Sequence, residues 1–411
     1  MKKKIILLTL AVMCLLVMSI ANAENGISKS NGFSYDSYIR LSFNQGDFNT
    51  SEMSAINNGA AVWQNAGRTL NTSRKPTFYS YPTQYMDWEG ISFRKSYQNT
   101  NWVGQCTYWW TSSAPNTNYK ANVVFNTKYR WVTTPNPGSG YYDMQSVASH
   151  EIGHALGLTD LYSSSNRNAM MYTEARGQRT LSSVDLDNFK KIYGNAWIGK
   201  YLLADDEEYL SSEDLHLDDL SPSENFLYLR NIPAEDNKTY EIEIGQNLLF
   251  ASLTDDEMIT ESDLIVKGRV KEISASQWDT PDGKAPSSEN MLEYNLFHDV
   301  IVEVDEVYKG ELTGRTQEIT VRHPGGTLDN VRLTIDNIPG YYEDEDVVLY
   351  LTQATLSSGS RNTGMSLNSR SDNIIYYQLN EKGQIFVIDN ELGVNGLGQK
   401  VNLLEIESSF E

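Results

Sequence analysis

The run HEIGHALGLTD, residues 150–160, constrains the fold of this chain more tightly than any other stretch. His150 and His154 are four apart, so on a helix they stack one turn above the other, about 40° apart round the axis. Both imidazoles can then reach a single point, with Glu151 beside them. Gly157 can adopt the left-handed conformation that ends a helix and turns the chain back. Asp160, three residues further on, is thereby returned toward the same point. A helix, a glycine turn and a returning carboxylate are required together, within a domain large enough to bury them.

Two imidazoles and a carboxylate are a donor set for zinc, at about 2.0–2.1 Å for nitrogen and 2.0–2.2 Å for oxygen. The first 200 residues contain no histidine besides His150 and His154, so a third ligand from this region cannot be histidine and Asp160 takes that place. Three protein ligands leave a fourth tetrahedral position open, as in catalytic zinc sites. Glu151 does not bind; it is placed to take a proton from a metal-bound water. The spacing therefore predicts a hydrolase with Glu151 as general base and His150, His154 and Asp160 as metal ligands. Two alternatives remain open: an exported binding or adhesion protein with a structural zinc, and a hydrolase of non-peptide amides. A structural site would need no glutamate between its ligands and would close the fourth position.

The chain begins MKKKIILLTLAVMCLLVMSIANA, a basic head, an apolar core and a small-residue exit, which predicts a signal peptide over 1–23 and a secreted protein. No later stretch has the ~18 apolar residues of a membrane span. Beyond residue 23, Cys106 is the only cysteine, so no disulfide is available within the mature chain. Charge divides the rest. Residues 24–200 hold 16 basic against 12 acidic side chains, a net of +4, and residues 201–411 hold 14 against 42, a net of −28. The acidic half argues against nucleic acid as a partner.

The pattern predicts an α+β chain in which a first domain over 24–200 is followed by an acidic linker (201–255) and a β domain (256–411). Tyr38–Asn44 alternates like a strand. Met53, Ile56, Ala60 and Trp63 share a helix face, with Asn49 and Glu52 set for a capping box. ANVVFN (121–126) reads as a second strand. Met144, Val147, Ile152 and Leu156 form a stripe on the helix that carries the histidines. Ser182, Asp185 and Gly194 bracket a further helix. Within the linker, Phe226, Leu227 and Tyr228 are hydrophobic anchors. From about 260, short strand-like runs separated by turn residues suggest a small sandwich or barrel.

VASHEIGHALGL and TLSSVDLDNFKKIYG resemble the metzincin zinc endopeptidases, specifically bacterial matrixin-type catalytic domains, while the terminal Asp160 is similar to the snapalysin variant. The resemblance covers about 33–197. It implies a twisted sheet, an active-site helix, a substrate strand lying across a cleft, and a methionine turn below the metal, for which NAMMY (168–172) offers Met171, with Met170 as the alternative. Two departures stand out: Asp160 replaces the matrixin histidine, and no large propeptide with a zinc-blocking cysteine precedes the first strand. The C-terminal strands loosely resemble five-stranded barrels of the OB type. That domain could target substrate, assist folding, or inhibit. The opposite charges of the two halves favour docking of the acidic part on the protease domain.

Other residues have two readings. Tyr172 could steady an oxyanion or simply pack. Cys106 could bind zinc, though a buried thiol is the plainer reading. Trp109 and Trp110 could line a substrate pocket or belong to the core. His216, His298 and His323 have no ligand spacing. Asp143 and Asp187 are candidates for calcium, but no EF-hand-like loop is present and no calcium site is assigned. The partner expected is a protein or peptide substrate.

Overall fold

The strand expected at the start of the chain forms as β1 (Ile39–Phe43) and leads into α1 (Thr50–Thr69). In the computed structural model, the described residues are 32–33, 38–81, 90–98, 100–110, 117–135, 137–138, 140–194, 242–280, 283–286, 295–312, 317–335, 338–353, 375–388, 391–396 and 399–410. The expected signal peptide, His216, the anchors at 226–228 and most of the linker lie outside them.

Helix α1 opens with the expected reciprocal cap. The Asn49 side chain accepts from the Glu52 amide and Glu52 accepts from the Asn49 amide, both at 3.0 Å. Its apolar face then packs on α2 (Met144–Ala155). Gly59 makes that approach close, since a Cβ there would sit 3.0 Å from Ser149 N. One turn along, the fully buried Trp63 donates from its indole nitrogen to Ser149 O at 2.7 Å. α1 thus supports the histidine helix from behind.

The first sheet supplies the opposite wall. β2 (Phe78–Tyr81), β1, β3 (Gly90–Ser96) and β5 (Asn118–Asn126) run parallel, and β4 (Trp102–Trp110) runs antiparallel to β5. The sheet continues past β4 through β9 (Ile242–Ala251) to β15 (Val331–Ile335) and β14 (Gly326–Leu328), while β8 (Glu174–Ala175) pairs with β9 off the main path. Residues 242–251 were expected within a linker and are instead a strand of this nine-stranded sheet. The reason is burial on both faces. Leu249 and Ala251 join the core around α2, whereas Ile244, Leu248 and Phe250 join a layer with Trp102, Trp109, Trp278 and Leu296. A strand buried on both faces does not show the polar alternation that marks a half-buried one.

The second sheet is built from later residues. β10 (Leu264–Ile273), β12 (Leu296–Lys309), β13 (Glu318–Pro324), β17 (Ile375–Gln378) and β16 (Asp346–Gln353) pair in that order, and β16 pairs again with β10, which closes the ring. Only the β13–β17 pairing in the ring is parallel. Val266, Val270, Val300, Val302, Leu349 and Leu351 fill it. The chain is α+β. No helix among the described residues is long and apolar enough to cross a membrane.

Trp63→Ala should cost about 3–5 kcal/mol, because it deletes a buried ring together with its indole bond to Ser149 O. Urea unfolding at an unchanged m-value measures this. A loss below about 1 kcal/mol would contradict the supporting role assigned to α1.

Candidate metal centre

Helix α2 starts at Asp143, whose carboxylate accepts from Gln145 N at 3.3 Å and Ser146 N at 3.2 Å. Arg179 grips the same carboxylate through Nε and Nη2, each at 2.7 Å. Asp143, a calcium candidate by sequence, therefore serves as a helix cap with its own counter-ion, and Asp187 lies exposed on α3 (Ser183–Tyr193). The helix ends as expected at Gly157, with φ +92°. Asn118 Nδ2 donates to Ala155 O at 2.9 Å and the Tyr193 hydroxyl donates to Leu156 O at 3.1 Å, so the last carbonyls have partners.

The turn brings His150, His154 and Asp160 together, all buried. His150 Nδ1 bonds Met170 O at 2.8 Å and His154 Nδ1 bonds Leu158 O at 2.9 Å. A carbonyl only accepts, so both Nδ1 atoms carry the hydrogen and both Nε2 atoms present lone pairs. Those two Nε2 atoms are 2.9 Å apart, and Asp160 Oδ1 lies 3.2 and 3.6 Å from them. Three lone-pair donors facing one another repel unless a cation lies between them. Tetrahedral bonds of about 2.0–2.2 Å place ligand atoms about 3.4 Å apart, close to this triangle. Neither oxygen of Glu151 has a hydrogen-bond partner among the described residues, and Asp160 has none apart from the His150 ring, which is costly for buried carboxylates. The donor set fits zinc, held by His150, His154 and Asp160.

Without a metal, a proton takes the cation's place. Burial pulls both histidines down, but in His150 the hydrogen bond and charge of Asp160 outweigh it and raise the pKa to about 9. In His154 burial prevails and the pKa falls to about 4. Burial also pushes Glu151 up to about 8.

The methionine turn lies beneath. A Cβ on Gly153 would meet Met171 Sδ at 2.3 Å, so Met171 is the residue seated under the helix, while Met170 contributes the carbonyl that orients His150. Asp185 holds the turn: it accepts from Met170 N at 2.8 Å and Met171 N at 3.1 Å while also closing the cap with Ser182. The sequence marked Asp185 only as a helix cap. Its second task depends on a loop brought near by folding, which no local pattern signals.

Tyr172 is buried with Arg176 against its ring. Trp109 belongs to the layer outside the sheet, and Trp110 donates to Glu243 Oε2 at 2.9 Å. Cys106 is fully buried beside Glu151, and burial followed by that charge holds the thiol protonated; it is not one of the three clustered donors. His298 and His323 pack ring to ring at 4.8 Å, away from the metal group.

At pH 7.5 zinc binding should release at least one proton, from His150, whose value lies above that pH, with a further share from Glu151 at about 8. The release should vanish as the pH rises through about 9. Calorimetry in buffers of different ionisation enthalpy reads the number, and no release at pH 7.5 would contradict the proton-sharing described here. Asp185→Ala should lower zinc affinity about 10–100-fold, as loss of outer partners does. Competition against a chelator tests this, and unchanged affinity in a folded variant would remove Asp185 from the support of His150.

Residues 49–194 match the family model of the matrixins. No curated protein matches the chain. The match covers five of the nine strands of the first sheet (β2, β3, β4, β5 and β8), helices α1 to α3, the methionine turn and the clustered donors, and ends where α3 ends. Residues 49–194 are therefore a matrixin-like domain of the metzincin kind, similar to a family of zinc metallopeptidases, with His150, His154 and Asp160 as the group that could hold the metal.

Proposed function

We propose that the chain is a secreted zinc endopeptidase in which Glu151 is the general base. The observation that carries this reading is the Glu151 carboxylate, buried, unpartnered at both oxygens and adjacent to the metal ligands. It also lies against β4: a Cβ on Gly104 would sit 2.5 Å from Glu151 Oε1, so the carboxylate faces the strand along whose edge a peptide would pair. Zinc bound by the three ligands would supply a Lewis acid that polarises a peptide carbonyl and acidifies a water. Glu151 accepts the proton of the attacking water and later returns it to the leaving amine. No covalent acyl-enzyme forms.

Among the described residues no fourth histidine, cysteine or carboxylate joins the three donors, which favours an open over a structural site. The endopeptidase reading has support in the slot beside β4, which accepts a strand with chain continuing at both ends. Export rests on the leader at 1–23. The five-strand ring, closed by β10–β16 and parallel only at β13–β17, supports an OB-type reading of the C-terminal domain.

Zinc content and casein cleavage of the mature chain beside Glu151→Ala test the proposal. Both proteins should hold about one zinc, and the variant should lose about 10²–10⁴ in rate. Equal cleavage by the two would contradict the role of Glu151.

A further inference from the structure

The slot between β4 and β8 is filled by this chain itself. β9 runs antiparallel to β4, with Cys106 opposite Asn247 and Gly104 opposite Leu249, and parallel to β8, with Glu174 opposite Phe250. Gly104 is the residue against Glu151, so Leu249 passes beside the general base. Asn247, fully buried, packs its side-chain amide against His154 on the Nδ1 side of the ring.

Both ends of the strand are fastened. At the start, Glu243 accepts from the Trp110 indole at 2.9 Å. At the end, Ala251 N donates to Asn101 O at 2.9 Å, and Ser252 Oγ donates to Glu174 Oε2 at 2.8 Å. Glu174 also pairs with Lys382 of the C-terminal domain. The outward side chains Ile244, Leu248 and Phe250 are covered by Trp278, Leu296 and Ile338 from that same domain. β15 then pairs along Ile242–Gln246. The C-terminal half therefore holds β9 in the cleft from its outer face, its far edge and its exit.

We propose that β9 is a built-in substrate mimic that closes the metal centre, so that the full chain is restrained until this strand leaves its slot. This inference rests on the peptidase reading and adds its regulation. An incoming polypeptide needs the same β4 edge, and one edge pairs with one strand at a time. Release is a displacement of β9 together with the domain that grips it. The opposite net charges of the halves, +4 and −28, favour their association at low salt.

A reversible lock tests this in the full mature chain. Thr107 and Gln246 are directly opposed across β4 and β9, and Gln246 Nε2 donates to Thr107 Oγ1 at 3.2 Å. Opposed residues of antiparallel strands are about 4.5–5.5 Å apart at Cα, within the range a disulfide spans. Thr107→Cys/Gln246→Cys, zinc-loaded and reduced with a phosphine, should cleave casein like wild type, and oxidation should lower the rate at least tenfold at unchanged zinc content. Gly245→Trp gives a second measurement. A Cβ there would meet the Tyr108 ring at 2.3 Å, so the bulky side chain unseats β9 and should raise the rate above wild type. Cleavage by the fully oxidised lock at the reduced rate would overturn the inhibitory role and leave the peptidase reading intact. Absence of cleavage in every form, Gly245→Trp included, would overturn the peptidase reading and this inference with it.

Discussion

Two imidazole nitrogens held 2.9 Å apart with their lone pairs facing, and a carboxylate oxygen 3.2 Å from one of them, form the contact on which the rest of the first domain depends. That arrangement stores repulsion unless a positive charge occupies it, so the surroundings must hold it rigidly. Met170 O and Leu158 O fix the rings from behind. Asp185 fixes the methionine turn, Gly153 lets Met171 approach, and Trp63 ties the helix to α1 through Ser149 O. Each of these is a buried polar or packing contact that helps to hold the geometry of the three donors. Such outer support is what turns a flexible set of ligands into a site with one preferred ion.

The second organising feature is the edge of β4 that β9 occupies. An unpaired strand edge beside a buried carboxylate is both a substrate-binding surface and a liability, since any extended segment can pair with it. Here the chain covers that edge with its own β9 and then covers β9 with a second domain. Glu174 links the layers. Burial alone would raise its pKa, but Lys382, Ser252 and Arg176 outweigh burial and lower it, so the carboxylate stays charged and keeps its partners. The matrixin-like domain and the acidic β domain are thereby joined through the Glu174–Lys382 ion pair.

Much of the centre was legible because it is local. The four-residue spacing of the histidines, the glycine at φ +92° and Asp160 lie within eleven residues, and short-range geometry decides where they go. The capping boxes at Asn49 and Ser182 were readable for the same reason. What sequence could not show is long-range. Asp185 reaches Met170 only after folding, and Asn118 meets Ala155 across 37 positions. β9 was the largest omission: IEIGQNLLFA follows an acidic stretch and buries both faces, so neither its charge context nor its alternation marked it as a strand of the first sheet. Gly194 ends α3 as expected, at φ −71° and so without a left-handed turn.

The most direct measurement of the central claim is X-ray absorption at the zinc edge of the loaded full-length chain. The account predicts a first shell of nitrogen and oxygen alone, at about 2.0–2.2 Å, with the scattering pattern of two imidazoles. A sulfur contribution at about 2.3 Å would place Cys106 on the metal and contradict the ligand set assigned to His150, His154 and Asp160.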